Sequence, residues 1–542
     1  MTARIRPTKQ LSLSQKFARL RMRLKDPQWR RYGGTLLSGK ILGVGMVLLL
    51  MMVVSGLFFT HVYADTGTPD VKAADIINPL NTVWTLVAAF LVFGMQVGFT
   101  MLEAGFCRSR ETVNVLVECV VDTCLCGILF YAIGFAFMFS HGNGFIGYHW
   151  FFLQGAPATY EGTGVAFLAV WIFQFAFADT CSTITSGAMI GRTGFIGDLL
   201  YSFCVTGFIY PIIGHWAWGP DGWLALMGSD GHFFRSLGMG FHDFAGSTVV
   251  HTIGGFIALA GAIVLGPRLG RKFKRDGGQP MLPHDLTIAV SGGLILWFGW
   301  YGFNPGSTLS AMDLGGIGRV AANTTLAACA AGLTSILYGY FKFKKWDASY
   351  TTNGFLAGLV AITCPCYWVS PTGAVLLGGI AGVLVILAVD LLEWLRIDDP
   401  IGAVPVHGVC GIWGTISLGL FASGQYGVPG PLGADNSAPL RGLFYGGGFQ
   451  VLGAQIIGSA CVTISTFVVA MVVMKAVNAV GMLRLPAAME TYGMDLHEHG
   501  ISAYPEYVIS AIGAPAGMEQ ELPLAQSAHA MSAVSSLNRA IS

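Results

Sequence analysis

Two histidines lie within otherwise apolar stretches, each eight residues after an aspartate: Asp243…His251 and Asp399…His407. An ionisable side chain at lipid depth is costly, and it marks a functional site. Neutral imidazole donates from one ring nitrogen and accepts at the other. A facing pair can therefore share a proton and line a narrow path for a small polar molecule. Asp243 is placed to cap the start of its helix, where backbone N–H groups and the helix dipole hold a carboxylate. From there its charge adds a fixed negative field for a nearby cation.

Aromatic residues supply the second part. In Phe173-Gln-Phe-Ala-Phe177 two rings stand one helical turn apart on a single face. Trp218 ends the fourth apolar stretch, and Trp297-Phe-Gly-Trp-Tyr-Gly-Phe303-Asn-Pro-Gly-Ser307 ends the sixth. A cation held against such rings gains about 2 kcal/mol or more per contact once water is excluded. Ser307 adds an acceptor that an N–H-bearing cation can use and a bare alkali ion can use only through its charge.

These residues need a membrane scaffold. Of the 542 residues, 54% are hydrophobic and 11% charged, against about 25% charged in soluble domains. The 74 glycines suit helices that pack closely in lipid. Eleven transmembrane helices are predicted, near 80–102, 116–139, 163–190, 197–217, 241–265, 284–303, 319–341, 353–372, 373–394, 403–422 and 445–475. Basic residues gather in alternate loops: Arg108, Arg110 and Arg192, then Arg268, Arg271, Lys272, Lys274 and Arg275, then Lys342, Lys344 and Lys345. By the positive-inside rule those loops are cytoplasmic, which places the start of the first helix outside and the C-terminus inside.

The two Asp-x7-His segments fall in the fifth and tenth helices and so run in opposite directions. That pattern predicts a 5+5 inverted repeat plus one helix, with the site at mid-membrane. Residues 1–64, with eleven Lys or Arg in the first forty, read as a signal peptide or an N-terminal anchor. Residues 78–478 read as the membrane domain and 479–542 as a cytoplasmic tail, disordered at its end. The cysteines are scattered, and Cys364-Pro-Cys366 has no second cluster to complete a metal set. No nucleophile elbow or phosphate loop points to an enzyme, no cofactor is indicated, and no basic, aromatic-interleaved stretch points to nucleic acid.

Several longer motifs then carry a family resemblance: Gly98-Phe-Thr-Met-Leu-Glu-Ala-Gly105, Asp243-Phe-Ala-Gly-Ser-Thr-Val-Val-His251, Trp297–Ser307, Val406-His-Gly-Val-Cys-Gly-Ile-Trp-Gly414 and Met494-Asp-Leu-His-Glu-His-Gly500. Over roughly residues 80–505 the chain resembles ammonium transporters of the Amt/Mep/Rh type, of the bacterial Amt kind. The resemblance implies that Phe173, Trp218 and Ser307 recruit ammonium, supported by Asp243. It also implies that Phe177 and Phe303 form a stacked gate, and that His251 and His407 are the twin-histidine pore pair. It further implies a homotrimer in the plasma (bacterial inner) membrane, ammonia or ammonium as substrate with methylammonium as a further one, and a PII-type signalling protein as a partner of the tail.

The alternative is an ammonium sensor signalling through its C-terminal region, although residues 476–542 are short for a kinase or cyclase domain. Three departures stand out. Where the family commonly reads Ser-Gly-Ala-x-Ala-Glu-Arg, this chain has Ser186-Gly-Ala-Met-Ile-Gly191-Arg192, and Glu111-Thr112 and Glu118-Cys119 also differ from the usual pattern.

Overall fold

The computed structural model describes residues 72–229, 234–436 and 439–504, together with Lys25. The expected signal or anchor segment at 1–64 and the expected disordered end of the tail lie outside the described residues. Long apolar runs become helices because in hydrocarbon every backbone N–H and C=O must be satisfied within the segment. They are α1 (Ala73–Phe106), α2 (Ser109–Phe139), α3 (Phe167–Gly187), α4 (Phe195–Trp218), α5 (Ser247–Leu265), α6 (Leu286–Gly306) and α7 (Leu314–Phe343). There follow α8 (Ala348–Thr363), then α9 (Pro371–Leu395), α10 (Val404–Phe421) and α11 (Gln450–Ala479). A two-stranded hairpin, β1 (Gly142–Asn143) with β2 (Ile146–Gly147), decorates the loop after α2.

Among the described residues, ten helices are long and apolar enough to cross a membrane. The expected stretch 353–372 is the one that falls short, since α8 has 16 residues. At 1.5 Å per residue it measures about 24 Å, less than the roughly 30 Å of a hydrocarbon core. It stops where Pro365 follows Cys364, because proline lacks an N–H and pushes the preceding residue out of helical geometry. From Thr352 to Thr363 every residue of α8 is buried.

The fifth helix also begins later than position 241. The Asp243 carboxylate takes the backbone N–H groups of Gly246, Thr248 and Val249 at 3.0, 2.9 and 2.8 Å. Residues 241–246 are therefore a capping turn, and α5 starts at Ser247.

Glycines set the two close crossings that build the centre. A Cβ on Gly105 would meet Ala289 N at 2.4 Å, and one on Gly292 would meet Leu102 N at 2.5 Å, so α1 and α6 touch backbone to backbone. A Cβ on Gly255 would meet Gly408 N at 2.3 Å, which does the same for α5 and α10. Along that second crossing Thr248 faces Thr415 at 2.5 Å while Gly255 faces Gly408. As one number rises the other falls, so α5 and α10 are antiparallel. Both crossings pair helices five apart in the chain order.

Candidate functional site

Each histidine is positioned by the same local device. Asp399 accepts N–H bonds from Gly402, Ala403 and Val404 at 3.0, 3.1 and 2.8 Å, as Asp243 does at its own turn. Gly246 and Gly402, each three residues after its aspartate, have φ of 110° and 80°, a region where a Cβ is penalised and glycine is not. Each turn opens a wide helical turn, Ser247–Thr252 and Val404–Val409. His251 and His407 sit on these wide turns, a form frequent at functional sites.

The crossing of α5 and α10 then brings the two imidazoles together. Their Nδ1 atoms are 3.1 Å apart, and the rings are nearly parallel, with centroids 5.2 Å apart. Such a contact requires one nitrogen to carry the proton and the other to accept it. His251 is fully buried and its Nε2 has no partner among the described residues. A buried polar atom left over in this way asks for a guest.

Rings continue in a column. Phe177 stacks on Phe303 with centroids 3.9 Å apart. Phe303 lies 5.5 Å from His251, and beyond His407 comes Phe99 at 6.4 Å. Phe177 and Phe303 are both buried. On the other side of their stack lies a cavity of about 300 Å³ whose lining includes Phe173, Gln174, Phe177, Trp218 and Ser307.

Three details suit this cavity to a cation with N–H groups. Ser307 Oγ donates its proton to Phe303 O at 2.8 Å, which leaves the oxygen's lone pairs to accept. Gln174 Oε1 is buried and without a partner among the described residues, a second acceptor at the same cavity. Trp218 Nε1 donates to the backbone oxygen of Asp243 at 2.8 Å, which fixes the indole face. The Asp243 side chain is 7% exposed and lies behind the lining, occupied with the helix start. The backbone oxygen is the part of Asp243 that holds Trp218.

Two of these residues escaped the sequence reading. Gln174 stood between the two phenylalanines, and a polar residue within an aromatic run was the available signal. Trp300 stacks on His251 at 5.3 Å and donates to Thr363 Oγ1 at 2.9 Å. Its position three residues before Phe303 gave no hint of that contact.

At the opposite end of the bundle, two of the three departures noted in the sequence, Gly191 and Glu111, fit each other. A Cβ on Gly191 would meet Glu111 Oε2 at 2.8 Å, so the Glu111 carboxylate occupies the space beside Gly191. Glu111 pairs there with Arg108. Arg192, fully buried, donates to Asp398 O at 2.7 Å and Gly266 O at 3.0 Å, and Arg268 grips the Asp398 carboxylate at 2.8 and 2.9 Å.

Residues 83–504 match the model of the Ammonium Transporter Family. The chain is 40% identical to ammonium transporter Amt2 of Archaeoglobus fulgidus over 89% of this chain and 99% of that protein. It is 38% identical to ammonium transporter 1 member 3 of Solanum lycopersicum, over 80% and 94% of the two chains. Among solved structures it is similar to one described as a sensor Amt protein, with 35% identity, a TM-score of 0.69 and coverage of 78% and 99%. It is also similar to Mep2 of Saccharomyces cerevisiae, with 29% identity, a TM-score of 0.67 and coverage of 79% and 94%.

Proposed function

The chain belongs to the ammonium transporter family, and from that premise we propose a route for ammonium through it. Phe173, Trp218 and Ser307 recruit NH4+ in the outer cavity, with Gln174 as a further acceptor and Asp243 supplying negative field. Ammonium and potassium ions have nearly the same size, so a hole alone cannot separate them. Selectivity comes from what potassium cannot do, which is give up a proton.

Ammonium is deprotonated at the Phe177–Phe303 stack, and ammonia passes along His251 and His407 while net charge moves with it. The start of α1 faces outside and the tail inside, three copies assemble in the plasma membrane with one pore each, and methylammonium is a second substrate. The tail docks a PII-type signalling protein. Sensing without transport is the weaker reading, because the sequence relatives above bear the names of transporters.

The observation that carries this reading is the Nδ1–Nδ1 contact of His251 and His407 at 3.1 Å behind the Phe177–Phe303 stack. Its test is current from the reconstituted chain under ammonium and under potassium. The His251→Ala variant is expected to lose ammonium selectivity and gain potassium current. A variant that stays selective for ammonium, with no potassium current, removes the histidine pair from the mechanism.

A further inference from the structure

Outside the ring column, α2 carries a second polar feature. Asn114, Glu118 and Asp122 follow one another at intervals of four and are all buried. Four helical residues return to the same face, so they form one stripe along an otherwise apolar helix. From α4, Asp198, Tyr201 and Ser202 are likewise buried. The two stripes meet, for the Asp122 and Asp198 carboxyls lie within hydrogen-bonding reach of each other, and Tyr201 OH donates to Asp198 Oδ1.

No cation accounts for this cluster. Among the described residues, none of Glu118, Asp122, Asp179 and Asp198 is in an ion pair. The charges acting most strongly on Asp122 are themselves acidic: Asp198, Glu118 and Asp179. Bare carboxylates in such a place are prohibitively costly. No trio of His, Cys, Asp or Glu converges as metal ligands would among the described residues.

What the atoms ask for is a proton. Asp122 Oδ1 and Asp198 Oδ2 are buried with no donor among the described residues, and the buried Asp179 carboxyl has the Thr123 hydroxyl beside it but no bond of full hydrogen-bonding geometry. A close contact between two carboxyls, each only an acceptor when ionised, requires a proton between them. Ser202 Oγ, also buried, lies beside Asp122 yet meets hydrogen-bonding geometry with no described residue.

The stripe is spaced for transfer. Residues four apart on a helix rise by about 6 Å, and two hydrogen bonds of about 2.8 Å through one water span the same gap. At one end, Asn114 Nδ2 donates to Glu118 Oε1 at 2.7 Å, and Asn114 Oδ1 meets His499 Nε2 of the tail at 2.9 Å. Towards the other end stands Tyr210, with a buried hydroxyl that has no partner among the described residues. Cys181, Cys126 and Asp243 are the groups that act on it electrostatically.

We propose that Glu118, Asp122, Asp198 and Asp179 form a proton relay through α2, α3 and α4, separate from the ammonia pore and ending at the tail. The step balances as NH4+ → NH3 + H+. Each carboxyl passes its proton to the next as it receives another, with water bridging the gaps, and Glu118 gives the proton to water beside the tail, the Asn114 amide orienting its carboxyl without carrying the proton. The proposal rests on the transport reading above and gives its net charge movement a second path.

The experiment uses the full chain in proteoliposomes and follows two signals. One is current after an ammonium jump; the other is luminal alkalinisation in proton-tight vesicles without a protonophore, which reports ammonia that enters without its proton. In Asp122→Asn/Asp198→Asn and in Asp179→Asn the current is expected to fall by roughly a hundredfold, the scale on which losing a proton-transfer group acts, while ammonia entry persists. Ser202→Ala, which keeps every carboxyl, should lower the current less.

Infrared spectroscopy gives an independent readout. The wild type should show a protonated-carboxyl band, sensitive to deuteration, that the paired variant loses. Full current in the paired variant, or no such band in the wild type, overturns the relay. A wild type that shows the band but no ammonium current overturns the transport reading instead.

Discussion

At the scale of single residues, the exchange between Gly191 and Glu111 is the sharpest case. Gly191 has φ of +83° and a Cβ placed there would lie 2.8 Å from a carboxylate oxygen of Glu111. Gly191→Ala therefore carries two penalties, one from the left-handed backbone and one from the clash. Together they are expected to cost about 1–3 kcal/mol. In a Glu111→Ala background only the backbone penalty remains, so the same substitution should cost about 1 kcal/mol. A double-mutant cycle on denaturant or thermal unfolding in detergent measures the difference. Equal costs in both backgrounds would show that Glu111 does not fill that space. The ring column poses the opposite situation, since the neighbours of its members are other rings. Trp218, Phe177, Phe303, His251 and His407 each touch the next member of the column or its mouth.

At the scale of elements, the histidine pair depends on how closely α5 and α10 cross. A Cβ on Gly255 would stand 2.3 Å from Gly408 N and 2.5 Å from Gly408 Cα, both backbone atoms that cannot step aside. Gly255→Ala should push the helices apart and open the 3.1 Å contact of the imidazoles, even though neither histidine is altered. Ammonium transport is expected to fall by about a hundredfold, as when catalytic groups are misplaced by about 1 Å. Gly318→Ala, whose Cβ meets nothing within 4 Å, is the control and should transport normally. Normal transport by Gly255→Ala would disprove the dependence. This crossing explains what the sequence could and could not reveal. The two Asp-x7-His segments are local patterns, so both histidines and the cap at Asp243 were readable along the chain, while the matching turn at Asp399 came from the structure. The start of α5 was misplaced because Phe241, Phe244 and Ala245 carry the apolar run up to the helix, and the hydrogen bonds of Asp243 are what separate the two. The end of α8 was hidden by a run of apolar residues continuing past Pro365. The Gly191–Glu111 exchange and the meeting of the α2 and α4 stripes were unreadable for a different reason. Each joins positions about 80 residues apart, and only the packed bundle brings them together.

At the scale of the whole molecule, the tail is tied beneath the bundle by two kinds of contact. Backbone bonds from Gly194 N to Leu483 O and from Leu485 N to Arg192 O, both 3.0 Å, do not titrate. Beyond them, Asp495 accepts from Asn114 N at 3.0 Å, and Glu498 accepts from Phe195 N at 3.2 Å. Burial pushes both carboxyls above their ordinary values, against these bonds and the pull of His499 on each. Since the docked value exceeds the free one, protons favour the docked tail. Docking should therefore be strongest below the ordinary carboxyl range and weaken as pH rises through the raised values, levelling off above them. Hydrogen exchange of residues 486–500, corrected for intrinsic rates, measures this as protection that declines over that interval. Asp495→Asn/Glu498→Gln should flatten the decline while leaving the contacts of Leu483 and Leu485 protected. Protection that instead grows as pH rises would mean that the carboxylates, once charged, hold the tail more tightly than burial opposes them.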